Sequence, residues 1–166
     1  MKGETIMHPT KNDLPEAART ELCELLNARL ADAIDLGLQA KQSHWNVKGP
    51  QFFSLHKLFD EIADGVEEHV DEIAERIAQL GGVAEGTVTA VKKRSSLVEY
   101  PLAIAEGKEH LEARRGALAS FARSVRKSID EASELRDADT ADLFTEVSRG
   151  ADKYLWLVEA HLQAPR

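Results

Sequence analysis

Apolar residues recur along this chain at spacings of three and four, and they do so in four long runs. The first, from about residue 16 to Trp45, carries Leu22, Leu25, Leu26, Leu30, Ala33, Ile34 and Leu38, the spacing of one apolar helix face. Ahead of it, Asp13 is expected as N-cap, Pro15 is tolerated in a first turn and Glu16 closes a capping box. Asn46 to Pro50 ends the run. The second begins at about Gln51 and aligns Phe52, Leu55, Phe59, Ile62, Val66, Val70, Ile73 and Ile77 until Gly81-Gly82 stops it. A third covers about Leu102 to Ala132, through Ile104, Leu111, Leu118, Phe121, Val125 and Ile129. The fourth runs from about Asp139 to Gln163 and aligns Leu143, Val147, Tyr154, Leu155 and Val158.

The connections are as informative as the helices. Gly81 to Pro101 is a stretch of about twenty residues, long for a compact domain, and a short helix is expected inside it near Val88 to Ser95. Four helices joined by a short, a long and a short connection predict an all-α four-helix bundle. Its middle connection crosses the length of the bundle, the ferritin-like arrangement, with the extra short helix between the second and third long ones. Residues 1–12 lack periodicity and read as a flexible N-terminal tail; 13–163 read as one bundle domain.

Composition narrows the class. The chain has 166 residues, enough for a single core, and its net charge of −8 argues against the folded body binding nucleic acid unaided. One cysteine, Cys23, permits no internal disulfide or cysteine-based zinc site and reads as a small buried hydrophobe. With no signal-like or membrane-spanning run, a reducing cytoplasm is the expected address and no membrane partner is expected.

The charges are segregated by helix. The third holds Arg114, Arg115, Arg123, Arg126 and Lys127, whereas Leu58 to Glu75 on the second holds eight carboxylates and no Lys or Arg. Of these, Asp60, Asp64, Glu67, Asp71 and Glu75 fall within an arc of roughly 80°, with His56 at its edge. Like charges four apart oppose the helix by about 0.2–0.5 kcal/mol per pair. Something cationic is expected to meet them, either basic side chains from another element or a metal. Imidazole beside carboxylate suits a first-row divalent ion.

No histidine has a glutamate three residues before it, which excludes the bundle-core di-metal site built on Glu-x-x-His. His56 with Asp60, and Asp71 with Glu75, each share a helix face, but His56 and Asp71 lie about 22 Å apart along a helix. One chain cannot bring the pairs together; two can. If a second copy crosses antiparallel near Gly65, His56 and Asp60 of each meet Asp71 and Glu75 of the other. Ala63 and Gly65 are expected to permit the close approach, and His44, folded back by the 46–50 turn, to add a ligand. His8, His69, His110 and His161 are assigned surface or core roles, with no carboxylate at ligand spacing.

These residues form a pattern: His44-Trp45-Asn46-Val47-x-Gly49, Phe52, His56, Asp60, Asp71-x-x-Ala74-Glu75-Arg76, then Gln79-Leu80-Gly81-Gly82. With Tyr100-Pro101-Leu102, Asp139-Thr140-Ala141-Asp142 and Asp152-Lys153-x-Leu155-Trp156, it resembles the Dps family, the miniferritins, over all but the two tails. The resemblance implies a homo-oligomeric shell of twelve subunits with a ferroxidase centre at each two-fold interface. His44, His56 and Asp60 would come from one subunit, and Asp71 and Glu75 from its neighbour. It further implies oxidation of Fe(II), preferably by hydrogen peroxide and otherwise by dioxygen, with storage of ferric oxide inside; zinc can take the place of iron at such ligands. Glu61 and Asp64 would help nucleate mineral, Lys57 standing where some relatives carry an acid. Asp137, Asp139, Asp142 and Glu146 resemble an acidic pore lining, though acids opening a helix also favour its dipole. Trp45 and Trp156 match family tryptophans; Trp45 would lie near the centre, although a tryptophan more often packs than takes part in redox chemistry. The alternatives are a nucleoid protein that compacts DNA, through avidity of many copies, and a structural assembly with a solvated acidic face.

Overall fold

The computed structural model describes residues 6–163. It contains α1 (Glu16–Asn46), α2 (Phe52–Gln79), the short α3 (Val88–Arg94), α4 (Gly107–Glu134) and α5 (Ala138–Leu162). α1 packs antiparallel along α2 and α4 along α5. The bundle is closed by a core of Leu22, Leu26, Leu30, Leu55, Phe59, Ile62, Leu118, Phe121, Phe144, Val147 and their neighbours. The all-α bundle with an extra short helix agrees with the expected fold.

The differences lie at the ends. Asp13 does not cap α1. Pro15, extended at φ −54° and ψ 140°, holds the N-cap position, and the turn before it is closed by Asn12, whose side chain accepts from the Leu14 amide at 3.0 Å. α4 starts five residues later than expected, at Gly107, because Glu106 and Glu109 form a reciprocal capping box there. Lys48 and Glu106 make an isolated parallel bridge, which pins the α1–α2 turn to the start of α4. At α5, Asp137 is the N-cap and accepts from the Thr140 amide.

The part of the N-terminal segment that is described, residues 6–12, has no helix or strand but does not hang away from the body. Met7 packs on the core, and the His8 amide donates to the Gly81 carbonyl at 2.6 Å. Gly81, at φ +88°, sits so close under His8 that a Cβ would lie 2.6 Å from its carbonyl oxygen. Residues 1–5 and 164–166 lie outside the described residues.

One polar edge of α1 explains how the long connection crosses the bundle. Asn27 donates to the Val83 carbonyl and accepts from the Glu85 amide; Asp32 accepts from the amide and hydroxyl of Ser96. Asp35 accepts from Ser95, Gln39 donates to the Val98 carbonyl, and Ser43 lies 3.0 Å from the Tyr100 hydroxyl. These positions recur about every four residues, so a single helix edge laces residues 83–100 along its length. α1 therefore buries polar as well as apolar faces, and Leu38, expected in its core stripe, is instead 61% exposed.

Candidate metal centre

His44 ends α1 and His56 opens α2, and the tight 47–51 turn stacks their rings with centroids 3.7 Å apart and planes inclined by 18°. Each ring is locked by the other residue's backbone. His44 Nδ1 lies 2.7 Å from the His56 carbonyl oxygen, and His56 Nδ1 lies 2.8 Å from that of His44. A carbonyl only accepts, so both Nδ1 atoms carry the proton and both Nε2 lone pairs are left for a cation. A carbonyl that holds the far ring nitrogen in this way fixes the tautomer and orientation of an imidazole that binds a metal. Phe52 stacks on His56 at 5.1 Å, and Trp45 and Phe53 are 67% and 69% exposed beside it.

Asp60 stands next to the pair, 3.8 Å from His44 Nδ1, and is hydrogen-bonded by Lys41. The Lys41 ammonium holds the Asp60 carboxyl below its ordinary value, and the carboxylate in turn raises Lys41. Lys41 also lies 3.5 Å from Asp64, and Lys153 on α5 lies 3.6 Å from Glu61. Part of the acidic arc thus meets basic side chains of its own chain. Lys41 was legible in the sequence three residues before His44, on the same helix face, but was not assigned there.

Asp71 and Glu75 lie exposed at the far end of α2, and among the described residues no basic side chain pairs with either, or with Glu67 or Glu68. The fold brings His44, His56 and Asp60 together and leaves Asp71 and Glu75 apart from them. Among the described residues, no three His, Cys, Asp or Glu side chains converge as a complete metal cage. Between these two groups of residues the α1–α2 surface forms a groove of about 270 Å³, lined chiefly by Ile34, Gly37, Leu38, Ala63, Val66 and Val70.

Gly65 does not face that groove. Its Cα is covered by Tyr154 of α5, and a Cβ there would sit 1.7 Å from the phenol oxygen. The expected role of Gly65 in a helix crossing is therefore corrected: it makes room for a side chain of its own chain, and Gly37 and Ala63 are the small residues on the open groove. One turn on, His69 covers Gly150 in the same way, and its Nδ1 lies 3.4 Å from Glu72. His69 accordingly does have a carboxylate partner, three residues later, contrary to expectation.

Of the acids assigned to a pore, Asp139, Asp142 and Glu146 are exposed, but Asp137 is buried. Arg76 donates to both its oxygens at 2.9 Å, and Thr140 donates through its hydroxyl and amide. Burial pushes the Asp137 carboxyl up, but the bonds from Thr140 and Arg76 together outweigh it and hold the group below its ordinary value. Arg76 follows Glu75 directly, so this pair ties the Glu75 end of α2 to the start of α5.

Behind the histidines lies a buried polar cluster that periodicity does not reveal. Tyr100 is hydrogen-bonded to His110 Nδ1, Ser43 contacts Tyr100, and Arg114 lies 4.8 Å over the Tyr100 ring and donates to Gln39. Burial is the main cause lowering both His110 and Arg114, the latter to about 10. His110 is thus a core residue, one of the two roles expected. Trp45 and Trp156 are each more than 60% exposed in the single chain.

No helix among the described residues is long and apolar enough to cross a membrane. The ferritin-like domain model matches residues 23–166. A DNA protection during starvation protein of Agrobacterium fabrum is 46% identical over 156 residues, covering 94% of this chain and 96% of that protein. Among solved structures, DpsA14 from Streptomyces coelicolor superposes with a TM-score of 0.92 at 33% identity, covering 98% of this chain and 96% of that one. Mycobacterium smegmatis Dps gives 0.88 at 31% identity, covering 97% and 95%. With a bundle of this topology and relatives this similar over nearly its whole length, the chain belongs to the Dps family of ferritin-like proteins, the miniferritins.

Proposed function

We propose that this protein oxidises Fe(II) and stores the ferric product inside a shell of twelve copies, at centres shared across two-fold interfaces. The observation that carries the reading is the reciprocal His44–His56 lock, which leaves both Nε2 atoms deprotonated while Asp60 stands 3.8 Å from His44 Nδ1, in a site that the described residues of its own chain leave incomplete. Asp71 and Glu75 of a neighbouring copy supply the missing carboxylates. The apolar groove between the half-sites, with Leu38 exposed along it, supports pairing of copies at this face.

In this reading the imidazoles hold Fe(II) as substrate and the carboxylates stabilise the ferric product, whose higher charge favours hard oxygen donors. Hydrogen peroxide accepts two electrons and two protons to give two waters, and two Fe(II) ions supply one electron each. Taking both electrons from protein-held iron avoids hydroxyl radical, and the relatives' naming for DNA protection fits that outcome. Dioxygen is the slower alternative oxidant, and zinc fits the same ligands without turning over.

The test is anaerobic loading with Fe(II) followed by peroxide, with ferric absorbance as readout. Wild-type protein should oxidise iron rapidly, and Asp71→Ala should slow the reaction by at least about tenfold, the loss typical of a metal ligand or its supporting shell. An unaffected Asp71→Ala protein would remove Asp71 from the centre.

A further inference from the structure

Arg114 is a cation folded into the bundle with little to hold it. It comes from α4, is 0% exposed, and donates through Nη2 to the Gln39 carboxamide oxygen. Its guanidinium lies 4.8 Å over the Tyr100 ring, and among the described residues Nε and Nη1 are buried without a hydrogen-bond partner. Other arginines set into the fold are provided for: Arg19 donates to the Leu14 and Leu80 carbonyls, and Arg29 lies 2.9 Å from Asp32. Asp35 is the acid that acts on Arg114 through space, but it is already engaged by Ser95 and the Gln39 amide. Burial lowers the guanidinium to about 10, which leaves it charged at neutral pH.

A buried charge without a counterion is costly to the fold. A ligand of opposite charge removes that cost, and there is room for one. Gln39 and Tyr100, which touch the guanidinium, are also walls of a cavity of about 410 Å³ bounded by residues 98–101. Its α4 side is made by the small residues Ala113, Gly116 and Ala117, which flank Arg114, and a Cβ on Gly116 would meet nothing within 4 Å. Three acids also line it. Glu109 is turned to the Ala105 and Glu106 amides, Glu112 lies 2.6 Å from Arg115, and Glu99 is exposed. Such acids beside a small apolar floor select a singly charged, weakly hydrated anion over sulfate or phosphate.

We propose that Arg114 and Gln39 form a binding site for a small planar monovalent oxyanion, of the carboxylate or bicarbonate class, entered through this cavity. The anion accepts hydrogen bonds from the guanidinium donors that the chain leaves free, and its planar oxygens match the planar donor fork. Gln39 holds Nη2 and so orients that fork toward the ligand. No covalent bond forms or breaks. The site is independent of the iron chemistry proposed above and needs no metal.

The experiment titrates isotope-labelled formate into the assembled, metal-free protein at constant ionic strength, with a bulky sulfonate as balancing anion. The formate line width and the thermal unfolding midpoint are followed together. Wild-type protein should broaden the formate resonance and gain stability in a saturable way. Unlabelled acetate and bicarbonate, in separate arms, should displace the formate, the stronger competitor marking the natural source, and sulfate should not. Arg114→Leu puts an apolar side chain in place of the buried charge, an exchange that cores often tolerate. It should lose both responses and melt no lower than wild type in the sulfonate alone. Gly116→Leu, which fills the cavity from an open position of α4, should weaken formate binding several-fold with the midpoint in sulfonate unchanged. No response in the wild type, an undiminished response in Arg114→Leu, or displacement by sulfate as effective as by bicarbonate overturns the site.

Discussion

Lys41 sits where the charge of a bound cation would otherwise be felt, hydrogen-bonded to Asp60 and within 3.5 Å of Asp64. A metal ion entering at His44 and His56 must compete with it for the carboxylate. Lys41→Gln should therefore tighten Co(II) binding, by about two- to fivefold for a half-exposed pair, as followed by the cobalt absorption spectrum; weaker binding would mean that Lys41 supports the site. His110 makes a second prediction at this scale. Its folded value is depressed by burial, so as pH falls through about 6.5 the unfolded chain takes up a proton that the folded chain resists. Stability should be full above that pH and decline below it. Thermal unfolding of His110→Gln, compared with wild type between about pH 7.5 and 5, should show a flatter slope; an equal slope would place the dependence on other groups.

Between elements, the decisive contacts are few and polar. Arg76 closes α2 onto the N-cap of α5 by gripping Asp137, whose side chain is 4% exposed. Removing the guanidinium leaves a buried carboxylate with only its Thr140 bonds. Arg76→Ala should then cost on the order of 3 kcal/mol, read as a shift in the denaturation midpoint, with Arg76→Lys intermediate because it keeps the charge and loses the fork. A neutral Arg76→Ala would show that the cap alone holds this corner. The α2–α5 seam is made by two reciprocal fits, Tyr154 over Gly65 and His69 over Gly150. The α1 edge from Asn27 to Ser43 laces the long connection. Helix periodicity located the four long helices, and the length of the 81–101 connection called for the short α3. Periodicity could not show these contacts, because each joins residues far apart in the chain through side chains of ordinary surface type.

For the whole molecule, the proposed centre is a property of pairs. Asp71→Ala subunits retain the histidine half and His56→Ala subunits retain the carboxylate half, so each is inactive alone. Dissociated, mixed equally and reassembled, they should recover about a quarter of the wild-type centres, since half of randomly formed two-fold interfaces are mixed and each of those has one intact centre. Absence of recovery in an assembly of correct size would place the centre within one chain. The net charge of −8 and the pairing of Arg115, Arg126 and Lys127 with acids of their own chain leave few unpaired cations on α4 for phosphate.

The order of residues along the chain already dictated the helices, the long crossing connection, the carboxylate arc and the arithmetic that separates His56 from Asp71. All of these follow from residue spacing along a helix of known rise. Which way each side chain faces, and what meets it, was settled by the packing of the folded helices. The stacked histidines with their carbonyl-locked Nδ1 atoms depend on the path of the 47–51 turn. Lys41 on Asp60, Asp137 withdrawn into a cap, and Gly65 spent on Tyr154 are outcomes of how neighbouring helices pack. A spacing rule places a residue on a face, but the neighbour across that face sets its chemistry, and that neighbour is fixed only when the chain has folded.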